Sequence, residues 1–258
     1  MSSDTRRRGP APSNVDLALE AVRDAIVEGR MRPGERIKEI PLADELGFSR
    51  APVRDALRLL ERDGLVELVP NRGAIVPELR AVDVLEVYAL RASLGTLALH
   101  KLMLDSESLQ IAPLERELTR LVRAGERRRA REAANADLAY QQAIVTAAEL
   151  PRVKREFERL TWQVRMFLGA LEIDVLDSVE RVIAEVQALH AAIVARDVHA
   201  AERLWREKFE RWISDLVGRL DEDFDHDLWV ALTLHADRTP VGLLASGRLG
   251  REDARRPR

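Results

Sequence analysis

Strand-forming sequence occurs in this chain in one place. Two short β-rich runs, LVELVP (65–70) and AIVPEL (74–79), flank Asn71-Arg72-Gly73, and after Pro77 the strand signals disappear. The pair reads as a hairpin, and the rest must be helix or loop. Composition agrees: aromatics are only 4% of a chain rich in Ala, Leu, Glu and Arg, where strands would ask for more β-branched and aromatic residues. Its 258 residues allow one large domain or two ordinary ones.

Ahead of the hairpin, apolar residues recur at helical spacing three times. Val15, Ala18, Leu19, Val22 and Ile26 form a stripe that stops at Gly29. The turn MRPGE precedes a short helix with Pro41 in its first turn and Leu42, Ala43 and Leu46 facing inward. Gly47-Phe48 breaks that helix, Ser49 is placed to cap the next, and RAPVRDALRLLERDG runs to Gly64. Three helices and a hairpin over residues 14–78 predict a winged helix-turn-helix. Residues 1–13, with Arg6, Arg7 and Arg8 together, read as a disordered basic arm, either a solvated tail or one that touches DNA.

Helical patterns then cover roughly 82–104, 108–124, 129–149, 151–172, 175–196 and 198–222. Such a run predicts an antiparallel bundle of six or seven helices over residues 82–222. Residues 223–258 are a partly disordered extension with one more short helix near Leu228–Leu234. The expected fold is mostly α: a winged helix-turn-helix followed by an all-helical bundle.

Bulk charge does not name a partner. The net charge is −3, and residues 1–77 balance 13 Lys/Arg against 13 Asp/Glu, so placement must decide. In the third helix Val53, Ala56, Leu57 and Leu60 share one side, while Arg50, Arg54 and Arg58, at i, i+4 and i+8, share the other. Three arginines on an exposed face are more often just solvated. Here a short helix and a Gly turn precede them and a hairpin follows, which together present a helix to the major groove. Arginine there pairs bidentately with guanine O6 and N7. Arg72 at the hairpin tip then reaches the minor groove or the phosphates.

The stretch PGERIKEIPLADELGFSRAPVRDALRLLERDGLVELVPNRGAIV resembles the DNA-binding domain of the GntR family of bacterial regulators, with PGE, LADELG, SRAPVRDAL, RDGLVE and PNRGA in ungapped order. The resemblance implies that Arg50 and Arg54 contact bases and that Ala51 and Pro52 set the fit against the groove. Asn71, Arg72 and Gly73 make the wing contact, and Arg58 lies beside the readers. Many members carry an arginine in the short helix where this chain has Ile40, which leaves Arg36 as the available substitute.

The pieces VYALRASLGTLAL, ADLAYQQAIVTAAELPRV and EVQALHAAIVARDVHAAERLWREKF resemble the helical FCD effector domain of the FadR-like branch. That resemblance implies a small-molecule effector and, in many members, a divalent metal held by one aspartate and three histidines. The aspartate is present as Asp137, but the histidine positions carry Gln141, Val186 and Lys208. Valine never ligates a metal and a protonated lysine cannot, so no metal or other cofactor is expected. Lys208 is expected to neutralise Asp137 or to hold an effector carboxylate, with Arg91 or Arg165 helping unless those two lie on the surface. Val186, and Leu150 where the family usually has asparagine, make the pocket more apolar than the common type. Trp162, Trp205, Trp212 and Trp229 either pack in the core, join a dimer interface or line that pocket. His190 lies one turn beyond the family position and reads as an ordinary histidine.

The absence of cysteine excludes disulfides, thiolate metal sites and cysteine nucleophiles. No Ser-His-Asp order, HExxH helix or Gly-rich loop points to an enzyme. With no signal-peptide core and no apolar run of about 18 residues, the expectation is a soluble, cytoplasmic homodimer. It binds a double-stranded operator, an imperfect palindrome, under the control of a small-molecule effector. The alternative is a dimeric architectural DNA binder whose pocket has decayed.

Overall fold

The computed structural model describes residues 12–70, 72–104, 110–173 and 178–233. The basic arm through residue 11, Asn71 and the tail from residue 234 lie outside them.

Helix α1 (Asn14–Val27) opens on a capping box: Ser13 Oγ accepts from the Asp16 N–H at 3.2 Å while the Asp16 carboxylate accepts from the Ser13 N–H at 3.0 Å. There follow β1 (Arg36–Ile37), α2 (Glu39–Leu46), α3 (Arg50–Arg62), β2 (Glu67–Val69) and β3 (Gly73–Ile75). The antiparallel sheet runs in the order β1-β3-β2, so the expected hairpin gains a third strand. Two residues are too few for alternation to reveal that strand in the sequence. What closes it is Gly73, with φ +86°, where a Cβ would stand 2.4 Å from the Ile37 carbonyl oxygen.

The second part comprises α4 (Ala81–Leu104), α5 (Ala112–Glu126), α6 (Ala130–Ala147), α7 (Pro151–Ala170), α8 (Val179–Val194), α9 (Val198–Val217) and α10 (His226–Thr233). All six expected long helices are present, and the short one near Leu228 forms as α10. Helix ends shift by a few residues, the usual uncertainty of a periodicity reading. The largest overrun is α9, which stops at Val217 because the chain turns there, with Asp221 at φ +53°. No helix among the described residues is long and apolar enough to cross a membrane.

Helix α4 is the axis of the bundle and packs against α6, α7, α9 and α10. Its closest approach is to α9, where a Cβ on Gly95 would lie 2.1 Å from the Trp205 ring. Trp205 stacks on Phe157 and meets Phe209 at a tilt, and its indole N–H donates to the Ala92 carbonyl at 3.2 Å. Trp229 is fully buried and Trp212 nearly so. Packing therefore accounts for three of the four tryptophans.

The winged part and the bundle share one apolar core, joined where α1 lies along α7. A Cβ on Gly169 would come within 2.4 Å of the Val27 carbonyl oxygen, so the two backbones touch. At the other end of the contact, Gln163 Nε2 on α7 donates to the Asp63 carbonyl at 3.0 Å, just beyond the C-terminus of α3. The Asp63 carboxylate pairs with Arg23 of α1 at 3.4 Å and Arg159 of α7 at 3.7 Å. Arg159 also donates to the Arg62 carbonyl.

Candidate functional site

Helix α3 divides its surface as its sequence requires. Val53, Ala56, Leu57 and Leu60 are inaccessible, whereas Arg50, Ala51, Arg54 and Arg58 are exposed and Pro52 is half-buried. Pro52 lies in the first turn, where no intrahelical donor is lost. Gly47 supplies the left-handed turn between α2 and α3, at φ +69°. Ser49 takes an extended N-cap conformation without a side-chain capping bond.

The arginines differ in what holds them. Arg54 forks onto Glu39 of α2, with Nε at 3.2 Å and Nη2 at 2.9 Å from Oε2. That contact raises the Arg54 pKa further, so its charge is permanent. Arg58 pairs with Asp55 at 3.2 Å. Arg36 donates Nε to the Arg72 carbonyl at 2.8 Å and so braces the hairpin tip, keeping Arg72 exposed. Gly73 packs against β1 rather than projecting outward, and Asn71 lies outside the described residues.

Within the bundle, the side chains aligned with the family's metal position form a buried polar chain. Arg91 of α4 donates Nη1 to Thr161 Oγ1 of α7 at 2.5 Å and Nη2 to Gln141 Oε1 of α6 at 2.6 Å. The Gln141 amide donates to Asp137 Oδ2 at 3.1 Å. Lys208 Nζ of α9 lies 3.0 Å from Asp137 Oδ1 and 3.8 Å from Glu185 of α8. Glu185 is in turn held by Arg211 at 2.8 Å. Arg91 is fully buried and Lys208 is 1% exposed. Burial pushes the Arg91 guanidinium down to about 10, still charged at neutral pH, and the Phe157 ring supports it from 4.0 Å.

These residues do not fit a divalent metal. One Asp137 oxygen faces an ammonium and the other accepts an amide N–H, while the neighbouring Val186 is fully buried and apolar. Among the described residues no three His, Cys, Asp or Glu side chains gather to hold an ion. His190 is occupied with the Tyr140 hydroxyl at 3.1 Å, and burial lowers its pKa. The void beside Asp137 and Gln141 is about 10 Å³, at the lower limit for one water.

Arg165 does not join this group. Thr161 and Val164 face the bundle core, and the helical period turns Trp162 and Arg165, three residues apart, toward α1. Arg165 donates to Asn135 and lies 5.4 Å from the Trp162 ring, in a cleft between α1 and the α6–α7 pair. Glu185, Thr161 and Arg211 complete the chain and escaped the sequence reading. For Glu185 the available signal was charge balance, since Asp137 alone cannot neutralise both Arg91 and Lys208; Thr161 and Arg211 had none.

Residues 16–76 match the family of bacterial regulatory proteins designated gntR, and residues 86–211 match the FCD domain. An uncharacterized HTH-type regulator of Bacillus subtilis, YdhC, is 40% identical over 36% of this chain, an alignment that spans 42% of that relative's length. An uncharacterized HTH-type regulator of Agrobacterium vitis, encoded in the ttuE-ttuC' intergenic region, is 34% identical over 52% of this chain and 80% of its own. Among solved structures, McbR of Escherichia coli superposes with a TM-score of 0.70 at 23% identity, covering 81% of this chain and all of that one, a likeness of fold.

The buried chain generates a stability prediction. Lys208→Met strands the Asp137 carboxylate and should cost ~3–5 kcal/mol, whereas adding Asp137→Asn should recover most of that loss. Urea denaturation of the two variants and the parent measures both terms. Equal stability of the single and double variants would mean that the pair does not couple.

Proposed function

The chain belongs to the GntR family of bacterial regulators, DNA-binding transcription regulators, and carries an FCD domain; from that premise we propose that it acts as a homodimer on an imperfect palindrome and that a small molecule held by the helical domain modulates operator affinity. Catalysis has no part in this reading. The observation that carries it is the α3 surface, where Arg50, Arg54 and Arg58 stand exposed opposite a fully buried face, beside a wing tip braced by Arg36. Coupling to the bundle has a physical route, because Gln163 and Arg159 of α7 grip the C-terminal end of α3.

A dimer follows from the DNA geometry and from α4. One winged domain contacts little DNA, so useful affinity asks for two half-sites and a two-fold axis. Leu90, Leu97 and Leu104 lie at a seven-residue interval on α4 and are exposed by 47%, 51% and 80%, with Leu94 half-buried between them. An apolar stripe of this length is read as the contact with a second copy.

A second reading has a specific observation in its favour. The void of about 10 Å³ at Asp137 leaves no room for an effector there, as in an architectural dimer whose pocket has closed. Thermal-shift screening with metabolites separates the two, since a ligand at 100 times its Kd stabilises by ~2.7 kcal/mol.

Three outcomes are expected. Arg54→Ala should lose ~1–3 kcal/mol of discrimination at one base pair per half-site, measured against random DNA at fixed salt. Equal losses on operator and random DNA would remove Arg54 from the base readers. Leu97→Glu should convert the dimer to a monomer in light scattering and weaken operator binding, and an unchanged dimer would move the interface off α4. The purified protein should contain no stoichiometric Zn²⁺, Mn²⁺ or Ni²⁺, and chelators should leave DNA binding intact. Elemental analysis near one metal per chain would overturn the account of the Asp137–Lys208 pair.

A further inference from the structure

We propose that the cleft between α1 and the α6–α7 pair binds a small zwitterion with an apolar side chain, such as a neutral amino acid, its carboxylate on Arg165 and its ammonium toward Asp24 and Glu172. The proposal rests on the reading that the helical domain senses a small molecule, and it moves that molecule out of the closed core. The cleft is open to solvent on one side and offers about 630 Å³, enough for a ligand of this size, whereas the void at Asp137 does not admit one.

Charge inside the cleft is unevenly spent. Arg131 pairs with Glu28, and Arg23, 4.5 Å from the Trp162 ring, is committed to Asp63. Arg165 has only the neutral Asn135 as a hydrogen-bond partner, and no carboxylate pairs with it among the described residues. Burial and the neighbouring Arg131 charge both lower its pKa, the direction expected of a cation lacking a counter-anion. On the outer walls Asp24 of α1 and Glu172 beyond α7 are exposed carboxylates with no salt bridge or side-chain hydrogen bond among the described residues. A half-buried guanidinium on one wall and solvated carboxylates on the others match a molecule carrying both charges. Val27, Leu138, Leu168 and Ile173 line the space between and set the preference for an apolar side chain.

The location gives the ligand something to report. Asp24 and Val27 belong to α1 of the DNA-binding part, whereas Arg165 and Leu168 belong to α7 of the bundle. A molecule touching both walls favours the arrangement in which the Val27 and Gly169 backbones are in contact.

Isothermal titration of the full-length protein with L-leucine, L-methionine and L-phenylalanine tests this. At least one should bind saturably, one per chain. Its analogues lacking the amino group or the carboxylate, for leucine isocaproate and isoamylamine, should bind about tenfold or more weakly. Arg165→Gln should abolish binding. The surface variant Asp24→Asn with Glu172→Gln, which leaves the core untouched, should reduce the amino acid to the level of its deaminated analogue. No saturable binding by any of the three at millimolar concentration would overturn the proposal, as would full binding in either variant or equal binding of the analogues. Operator binding by the unliganded parent, measured in parallel, judges the regulator reading separately: retained operator binding with an empty cleft sinks the cleft alone.

Discussion

The bundle depends on how two buried cations are kept partnered. Arg91 and Lys208 lie where solvation is lost, and either alone would be too costly to hold in charged form. They persist because Thr161, Gln141, Asp137 and Glu185 reach them from α7, α6 and α8. The partners come from three different helices, so those helices must meet in one register for the chain to close. We read its contribution as register more than stability, because replacing a whole buried ionic set by apolar residues is often neutral or stabilising. The same chain leaves a void of only about 10 Å³ beside Asp137 and Gln141.

With the core filled by the protein's own charges, the contacts between the two parts run along α7. That helix lends Thr161 to the polar chain, Gln163 and Arg159 to the end of α3, and Gly169 to the contact with α1. These residues span less than three turns, so α7 touches α3 and α1 with no intermediate element. The glycine is what makes the coupling tight, since a side chain at residue 169 would push α1 off the bundle.

Most of the architecture was legible because each element announces itself locally. The stripe in α3, the Gly47 turn and the Asn71-Arg72-Gly73 hairpin follow from spacing and turn chemistry, and the long helices follow from their apolar period. Strand β1 was not, because a two-residue strand is defined by its partner rather than by its own pattern. The resemblance aligned Gln141, Val186 and Lys208 with the family's histidines and offered Asp137 as one of two partners for Lys208, the one that the structure places 3.0 Å away. Arg165 was misplaced for a geometric reason: which way a polar residue near a core face turns depends on the neighbouring helix, here α1. Glu185 adjoins the aligned Val186 but points to Lys208, and only the packing of α8 on α9 reveals that.

The pairing of Arg54 with Glu39 bears on how such a surface distinguishes sequences. An exposed ion pair is weak in water, so Glu39 holds the guanidinium in a fixed fork without trapping it. In the proposed complex a guanine edge offers the same fork two acceptors, worth ~1–3 kcal/mol of discrimination, and can outbid the carboxylate. A base without that acceptor pair cannot, and Arg54 then stays with Glu39. The carboxylate thus presets the geometry and competes at the same time, so a base offering only a weak contact does not displace it. Arg50 has no such competitor among the hydrogen bonds and salt bridges of the described residues, and contributes attraction without the same filter.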